Sequence, residues 1–302
     1  IFNKNQEIGF THTSFKWSNN AKSKANVIVV VIGIRNCSNS PKFIYSDSRN
    51  KKVKNISSYL TEGNNIYVNQ RKQSISNLPE MSLGSSGIDG GHLLLSKEEK
   101  ELFISNSSES TKFIKKFIGG QDLLRNNERY CLWIDDDLVE EANKVPLIKE
   151  RIERCKNYRL NGGRDAKKGA LVPHRFFYRK YKDGESVILP FTSSANRDYL
   201  PVGFEPSGTI SSNGLLVIYG SEIYMFGLLS SKIHWIWLNT VSGKLKNDIR
   251  YSVNLAYNNF PFPNISKQRK EELTQCTLKI IDERMKHSEK TLAQLYVPDK
   301  MP

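Results

Sequence analysis

The chain's 302 residues leave room for two modest domains or one large one, and a hydrophobic share of 38% supports a buried core, which excludes wholesale disorder. Lys and Arg number 45 against 31 Asp and Glu, giving a formal charge of +14; the excess calls for a polyanion or an anionic surface, unless it serves solubility alone. The longest apolar run, Val27 to Ile34, falls far short of the roughly 20 residues of a bilayer span, so a transmembrane helix is excluded.

In chain order, Phe10 to Lys22 is aromatic and polar and reads as a loop. Val27 to Ile34 (VIVVVIGI) is almost wholly β-branched and predicts a buried strand. Ser38 to Asn55 is polar and basic, contains Pro41 and reads as a linker ending at a boundary near Asn55. Ile66 to Val68 is a short strand candidate, and the Gly-rich Ser82 to Gly91 is a loop. Ser96, with Glu99 three residues on, has the form of a capping box at a helix start. Thr111 to Phe117 predicts a short amphipathic piece stopped by Gly119 and Gly120. Tyr130 to Ile134 predicts a strand. Asp135, Asp136 and Asp137 suit the positive end of a following helix better than a metal cluster. Pro146 opens a helix with Ile148, Ile152 and Cys155 on one face, stopped by Asn161, Gly162 and Gly163.

Further on, Ser186 to Phe191, Leu215 to Tyr219 and Ile223 to Phe226 predict strands, the last two joined as a hairpin through Gly220 and Ser221. Ser230 to Val241 predicts a helix. Phe260-Pro261-Phe262-Pro263 breaks regular structure. Ser266 to Lys286 predicts a final helix with Leu273, Cys276, Ile280 and Ile281 on its apolar side.

The positive charge is not spread evenly. Lys149 to Lys182 holds twelve basic residues against three acids, Glu150, Glu153 and Asp165. Further clusters are Arg49, Lys51, Lys52 and Lys54, and Lys244, Lys246 and Arg250. The cysteines Cys37, Cys131, Cys155 and Cys276 form no Cys-x-x-Cys pair, so they read as free and mostly buried thiols rather than zinc ligands. The histidines are scattered without metal-ligand spacing; His174, in the basic segment, has two readings, a contact to the anionic partner or the plainer one of a packing histidine. The chain starts at Ile1 with no cationic segment leading into an apolar one, and reads as a piece of a longer cytoplasmic protein.

Several strings are more specific than composition explains. They are FTHTSFKWSNNAK at Phe10 to Lys22, ISNLPE at Ile75 to Glu80, DGGHLLLS at Asp89 to Ser96 and RYCLWI at Arg129 to Ile134. PFTSSANRDYLPVGF at Pro190 to Phe204 and GKLKNDIRYSVNLAYNNFPFP at Gly243 to Pro263 complete the series. In this order they resemble the C-terminal part of MmeI-like restriction-modification enzymes of type IIG/IIL, which methylate the adenine amino group. The resemblance covers nearly the whole chain. It implies an α+β fold: a remnant of an α/β methyltransferase sheet (1–55), a mixed short-strand target recognition domain (56–240) and a C-terminal helical domain (241–302). It implies double-stranded DNA as partner, together with upstream methyltransferase domains and in some enzymes a nuclease. The Gly-rich S-adenosylmethionine loop and the Asn-Pro-Pro-Tyr/Phe tetrad of such enzymes are not found here, so S-adenosylmethionine and catalysis are expected in the full-length enzyme and not in this piece.

The resemblance also points to residues. Phe15 and Trp17 stand where such enzymes place an aromatic platform for a flipped base; the alternative is a core aromatic. Thr192 to Tyr199 (TSSANRDY) is the expected base-reading turn, with Ser193, Ser194, Asn196 and Arg197 as its readers. Arg can bond guanine O6 and N7 together and Asn can do the same with adenine, whereas a polar turn can also merely hold its own backbone. Asp89 is a further reading candidate, although an Asp-Gly turn accounts for it as well. Arg159, Arg164, Lys167, Lys168, Lys244, Lys246 and Arg250 are expected on phosphates, against the reading of a solvated basic surface. Two rival functions stand beside this one, a stand-alone DNA specificity subunit and an RNA-binding protein.

Overall fold

The computed structural model describes residues 2–17, 27–46, 49–245 and 248–302. Strand β1 (Gln6–Trp17) pairs antiparallel with β2 (Val27–Asn36), and parallel with β3 (Lys42–Tyr45), which pairs with β4 (Asn50–Val53) in the order β2-β1-β3-β4. Glu7 fastens three of these strands: its carboxylate meets Lys42 Nζ at 2.7 Å and Arg35 Nε at 2.8 Å. The hydrogen bond from Lys42, joined by that from Arg35, holds the Glu7 carboxyl below its ordinary range.

Three expectations change here. Phe10 to Trp17 is a strand, because the VIVVVIGI run offers it a full antiparallel partner. The expected linker carries β3 and β4. The apolar strand is not buried: β2 is a sheet edge, and Val30, Val31, Ile32 and Ile34 are 40–50% exposed. Its β-branched composition secures the strand but does not provide a neighbour to cover it.

The next stretch holds β5 (Ser82–Leu83), β6 (Leu94–Leu95), α1 (Lys97–Asn106), β7 (Ile114–Ile118), α2 (Gly120–Arg125) and β8 (Arg129–Leu132). It continues with α3 (Val139–Asn143), α4 (Pro146–Leu160) and α5 (Arg164–Gly169). The Ser96/Glu99 capping box opens α1, and Pro146 opens α4 at its first turn. Strands β12-β7-β8-β6 form one sheet, β12 being Ile210–Ser211. Against it pack Phe103, Phe113, Trp133, Ile148, Ile152 and Cys155. Thr111 to Phe117 is a 3-10 turn followed by β7 rather than a helix, and Ile66 to Val68 forms no strand.

The central sheet has the order β11-β9-β13-β5, with β9 Ser186–Pro190, β11 Gly203–Glu205 and β13 Leu215–Tyr219. Both faces of β9 and β13 are covered, so their sequences read as unbroken apolar runs. Val187, Leu189, Leu216 and Ile218 pack on one side with α6 (Tyr224–Ser230) and α7 (Lys232–Val241). Ile188, Leu215 and Val217 face α9 (Leu292–Leu295) on the other. The segment Ile223 to Phe226, expected as a strand, lies at the start of helix α6, which packs against α8 (Lys267–Lys286). On α8 the buried residue is Thr277, while Cys276 and Ile280 are exposed; a Cβ on Gly227 would collide with the Thr277 hydroxyl, so the two helices cross closely where a glycine meets a threonine.

Gly84 matters for a similar reason. It directly follows β5, and a Cβ there would overlap the carbonyl oxygens of Ser211 and Ser212. Ser85 N donates to Ser211 O at 2.7 Å and a parallel bridge joins Ser85 to Ser212. This crossing ties the central sheet to the β12 sheet. No helix among the described residues is long and apolar enough to cross a membrane.

Candidate nucleic-acid interface

Two segments far apart in sequence are brought into one small sheet. β9 runs through Phe191 into β10 (Thr192–Ser193), which pairs antiparallel with β15 (Asp248–Arg250); β15 pairs in turn with β14 (Gly243–Leu245). Thr192 faces Arg250 and Ser193 faces Ile249, and Tyr251 N donates to Phe191 O at 3.0 Å. The polar turn and the basic hairpin, expected separately from sequence, are therefore one surface.

Within the turn the candidate readers have different environments. Ser193 is 2% exposed, and its hydroxyl accepts from Arg197 Nη1 at 3.1 Å. That corrects its expected role: a side chain buried in the ladder cannot reach a base edge, and it positions Arg197 instead. Ser194 braces the turn, its hydroxyl accepting from Asn196 N at 3.3 Å and its carbonyl from Arg197 N at 3.3 Å. Asn196 is exposed and Arg197 half-buried. Burial lowers the Arg197 guanidinium from its ordinary value, with the charge of Asp248 pulling the other way. On the hairpin Lys244 and Arg250 are exposed; Lys244 Nζ donates to Asn239 Oδ1 at 3.1 Å, and the Arg250 guanidinium lies 5.1 Å over the Phe191 ring. Lys246 lies outside the described residues.

Beneath the hairpin, Tyr251 is 2% exposed and its hydroxyl meets His234 Nε2 at 2.9 Å. His234, on α7, is fully buried, and burial pushes its imidazole down to about 3. The ring is neutral at physiological pH, and the pair pins the hairpin to the central core.

The Gly-rich loop leaves the same end of the central sheet. β5 and β9 both run antiparallel to β13 and flank it. Gly84 N donates to Leu215 O and Phe191 N to Gly214 O, at the end where β13 begins. The two loops thus emerge two strand spacings apart, about 10 Å. Asp89 does not serve as a reader here. It is 7% exposed, and its Oδ2 accepts from Leu93 N at 2.7 Å, so the carboxylate is spent on its own turn.

Arg159 is the largest departure from the sequence reading. Expected on a phosphate, it is completely buried, and burial lowers its guanidinium from the ordinary value. It donates to five carbonyls: Nε to Ile88 O at 3.1 Å, Nη1 to Gly169 O at 2.8 Å and Val172 O at 2.9 Å, Nη2 to Gly87 O at 2.7 Å and Arg175 O at 2.8 Å. It staples the Gly-rich loop to the turn after α5. The signal was present in the sequence: Arg159 continues the stripe Ile148, Ile152, Cys155 at helical spacing, so it had to face inward. Arg164, Lys167 and Lys168 of α5 are exposed. Nearby Arg154, Arg175 and Arg179 are ion-paired with Glu150, Asp136 and Asp135, whereas among the described residues no carboxylate pairs with the α5 cations. His174, 7% exposed, bonds Asp136 Oδ1 at 2.7 Å, a packing role.

Phe15 and Trp17 end β1. Phe15 is half-buried with its ring 4.6 Å from that of His12, and Trp17 is 51% exposed with its ring 6.3 Å from that of Phe15. No group of three or more His, Cys, Asp or Glu that could hold a metal ion occurs among the described residues. The Gly-rich segment follows a two-residue edge strand and leads into no helix, so its residues do not fit a nucleotide-cofactor cradle.

Comparison with known proteins agrees with this architecture. Over its whole length the chain is 41% identical to DNA methyltransferase A of Bacillus subtilis (strain 168), and it covers 34% of that protein. The solved structure of the type IIL restriction-modification enzyme MmeI in complex with DNA superposes on the whole chain with a TM-score of 0.92 at 34% identity; the chain covers 41% of it. This chain therefore spans 34% and 41% of the length of these two relatives. Residues 1–46 match the family described as MmeI, DNA-methyltransferase domain. Residues 62–264 match MmeI, target recognition domain, which is the family to which this α+β chain belongs.

Proposed function

We propose that the chain reads a specific duplex DNA sequence for an adenine-specific methyltransferase of a restriction-modification system and presents the target adenine to a catalytic site elsewhere in the parent enzyme. The observation that carries the reading is the joining of the TSSANRDY turn and the Lys244–Arg250 hairpin on one sheet, at the end of the central sheet where the Gly-rich loop also leaves, a loop that Arg159 ties to the basic turn after α5. Asn196 and Arg197 read base edges; Arg164, Lys167, Lys168, Lys244 and Arg250 lie along phosphates. Phe15 and Trp17 stack on the adenine once it leaves the helix. S-adenosylmethionine binds in the upstream part of the parent enzyme, and the setting is cytoplasmic. The methyltransferase-domain match over residues 1–46 favours a chain joined to its catalytic domain over a stand-alone specificity subunit.

The test is methylome sequencing of cells carrying the full-length gene. Arg197→Ala is expected to relax one position of the methylated sequence, the loss of one bidentate contact being worth about 1–3 kcal/mol of discrimination. The Phe15→Ala, Trp17→Ala double variant is expected to bind duplex but leave it unmethylated. An unchanged motif in the first and full methylation in the second would refute these assignments, and preference for RNA over duplex DNA in a competition assay would refute the reading as a whole.

A further inference from the structure

Leu171 sits in the turn after α5 and is 85% exposed, while no other exposed large hydrophobic side chain among the described residues exceeds 69%. Single apolar residues on a surface are ordinary, but the backbone on both sides of this one is tied down by hydrogen bonds. The buried Arg159 guanidinium fixes the carbonyls of Gly169 and Val172 on either side of it, and that of Arg175 beyond. Leu171 N donates to Lys168 O at 3.3 Å and Val172 N to Gly169 O at 3.0 Å. A five-donor buried arginine is a costly way to stiffen a turn whose tip touches nothing.

We propose that Leu171 is an apolar wedge that enters the base stack of the bound duplex, an inference that rests on the duplex-reading function above. Aliphatic side chains inserted at a base step unstack it and kink the helix, provided the backbone behind them is rigid and neighbouring cations hold the phosphates. Lys167 and Lys168 supply those cations one turn earlier and Arg164 about two turns earlier, all exposed and without carboxylate partners among the described residues. Arg159 also holds Gly87 O and Ile88 O, so the tip is anchored to the loop that leaves the same sheet end as the reading turn. The same charges argue against a protein pocket as the occupant, since docking there would strip water from cations with nothing to pair them.

The experiment uses the full-length parent enzyme and duplexes containing its methylation site, with 2-aminopurine placed in turn at every purine of both strands. The parent enzyme is expected to brighten the probe at the target pair and at one further step. Leu171→Ala should return that second step to the signal of free duplex, Leu171→Met should retain it, and the bound sequence should stay the same. Equal signals in the parent and Leu171→Ala, or no second step at all, with duplex binding intact, overturn the wedge and leave the reading function standing. A parent enzyme that does not bind duplex overturns both. Faster proteolytic release of the upstream domains in Leu171→Ala, with unchanged fluorescence, assigns the side chain to a protein contact and also overturns the wedge.

Discussion

Arg159 shows how much one side chain can decide. Truncation to Ala would take the guanidinium from five backbone carbonyls, and those of Gly87, Ile88 and Arg175 would be left without it while Gly169 O and Val172 O keep backbone donors. Each stranded polar group costs on the order of 1–3 kcal/mol where no water replaces the partner, so Arg159→Ala should lower the unfolding free energy by about 3 kcal/mol or more. Arg159→Lys should rescue little, because an ammonium has too few donors and no planar fork. Denaturant titration measures both, and a loss below about 1 kcal/mol would mean that water takes over the carbonyls. His234 gives a pH signature. Its folded value of about 3 lies below the ordinary 6.5, so the unfolded chain binds the extra proton between those limits. Its contribution is therefore complete above pH 6.5 and is lost as the pH falls toward 3, with a slope of at most about 1.4 kcal/mol per unit. In His234→Gln that component of the acid dependence should vanish, so the stability difference between the two proteins should shift in the variant's favour across this window.

At the level of elements, the role proposed for the basic groups is to neutralise phosphates. Changing Lys167, Lys168 or Arg250 singly to Gln should reduce the salt slope of duplex binding by about one each, with sequence preference intact. A slope that does not move would take that residue off the backbone contact. The elements with local signals were legible in the sequence: the Ser96/Glu99 box, the Pro146 helix start and the apolar runs of β9 and β13. Mixed or very short segments were not, since Ile114 to Ile118 (IKKFI) and Ile223 to Phe226 carry no periodicity that tells strand from helix. The turn and the hairpin were each legible as polar and basic segments. Their union was not, because β10 meets β15 across a long sequence separation that no local pattern encodes. Charge alone does not place Arg159, whereas helical phase turns it inward, and the resemblance that singles out the TSSANRDY turn does not show that Ser193 lies inside a strand ladder.

For the molecule as a whole, the first sheet and the rest face opposite demands. The central sheet is covered on both sides, whereas β2 leaves an apolar edge strand open. Open edges pair with one another. Val31→Lys together with Ile34→Lys should reduce self-association of this chain in light scattering at high concentration, with little change in melting temperature, since neither side chain is in the core. Undiminished association would place the sticky surface elsewhere.

The crossing at Gly84 bears on how specificity can change. Its missing methyl group lets the central sheet and the β12 sheet interlock beside the Gly-rich loop, through backbone that contributes no side chain to the proposed reading turn. Side chains of the TSSANRDY turn can therefore be exchanged without disturbing the joint between the sheets. On the proposed reading, a new recognition sequence comes from changes on that turn, while the interlocked backbone beneath stays as it is.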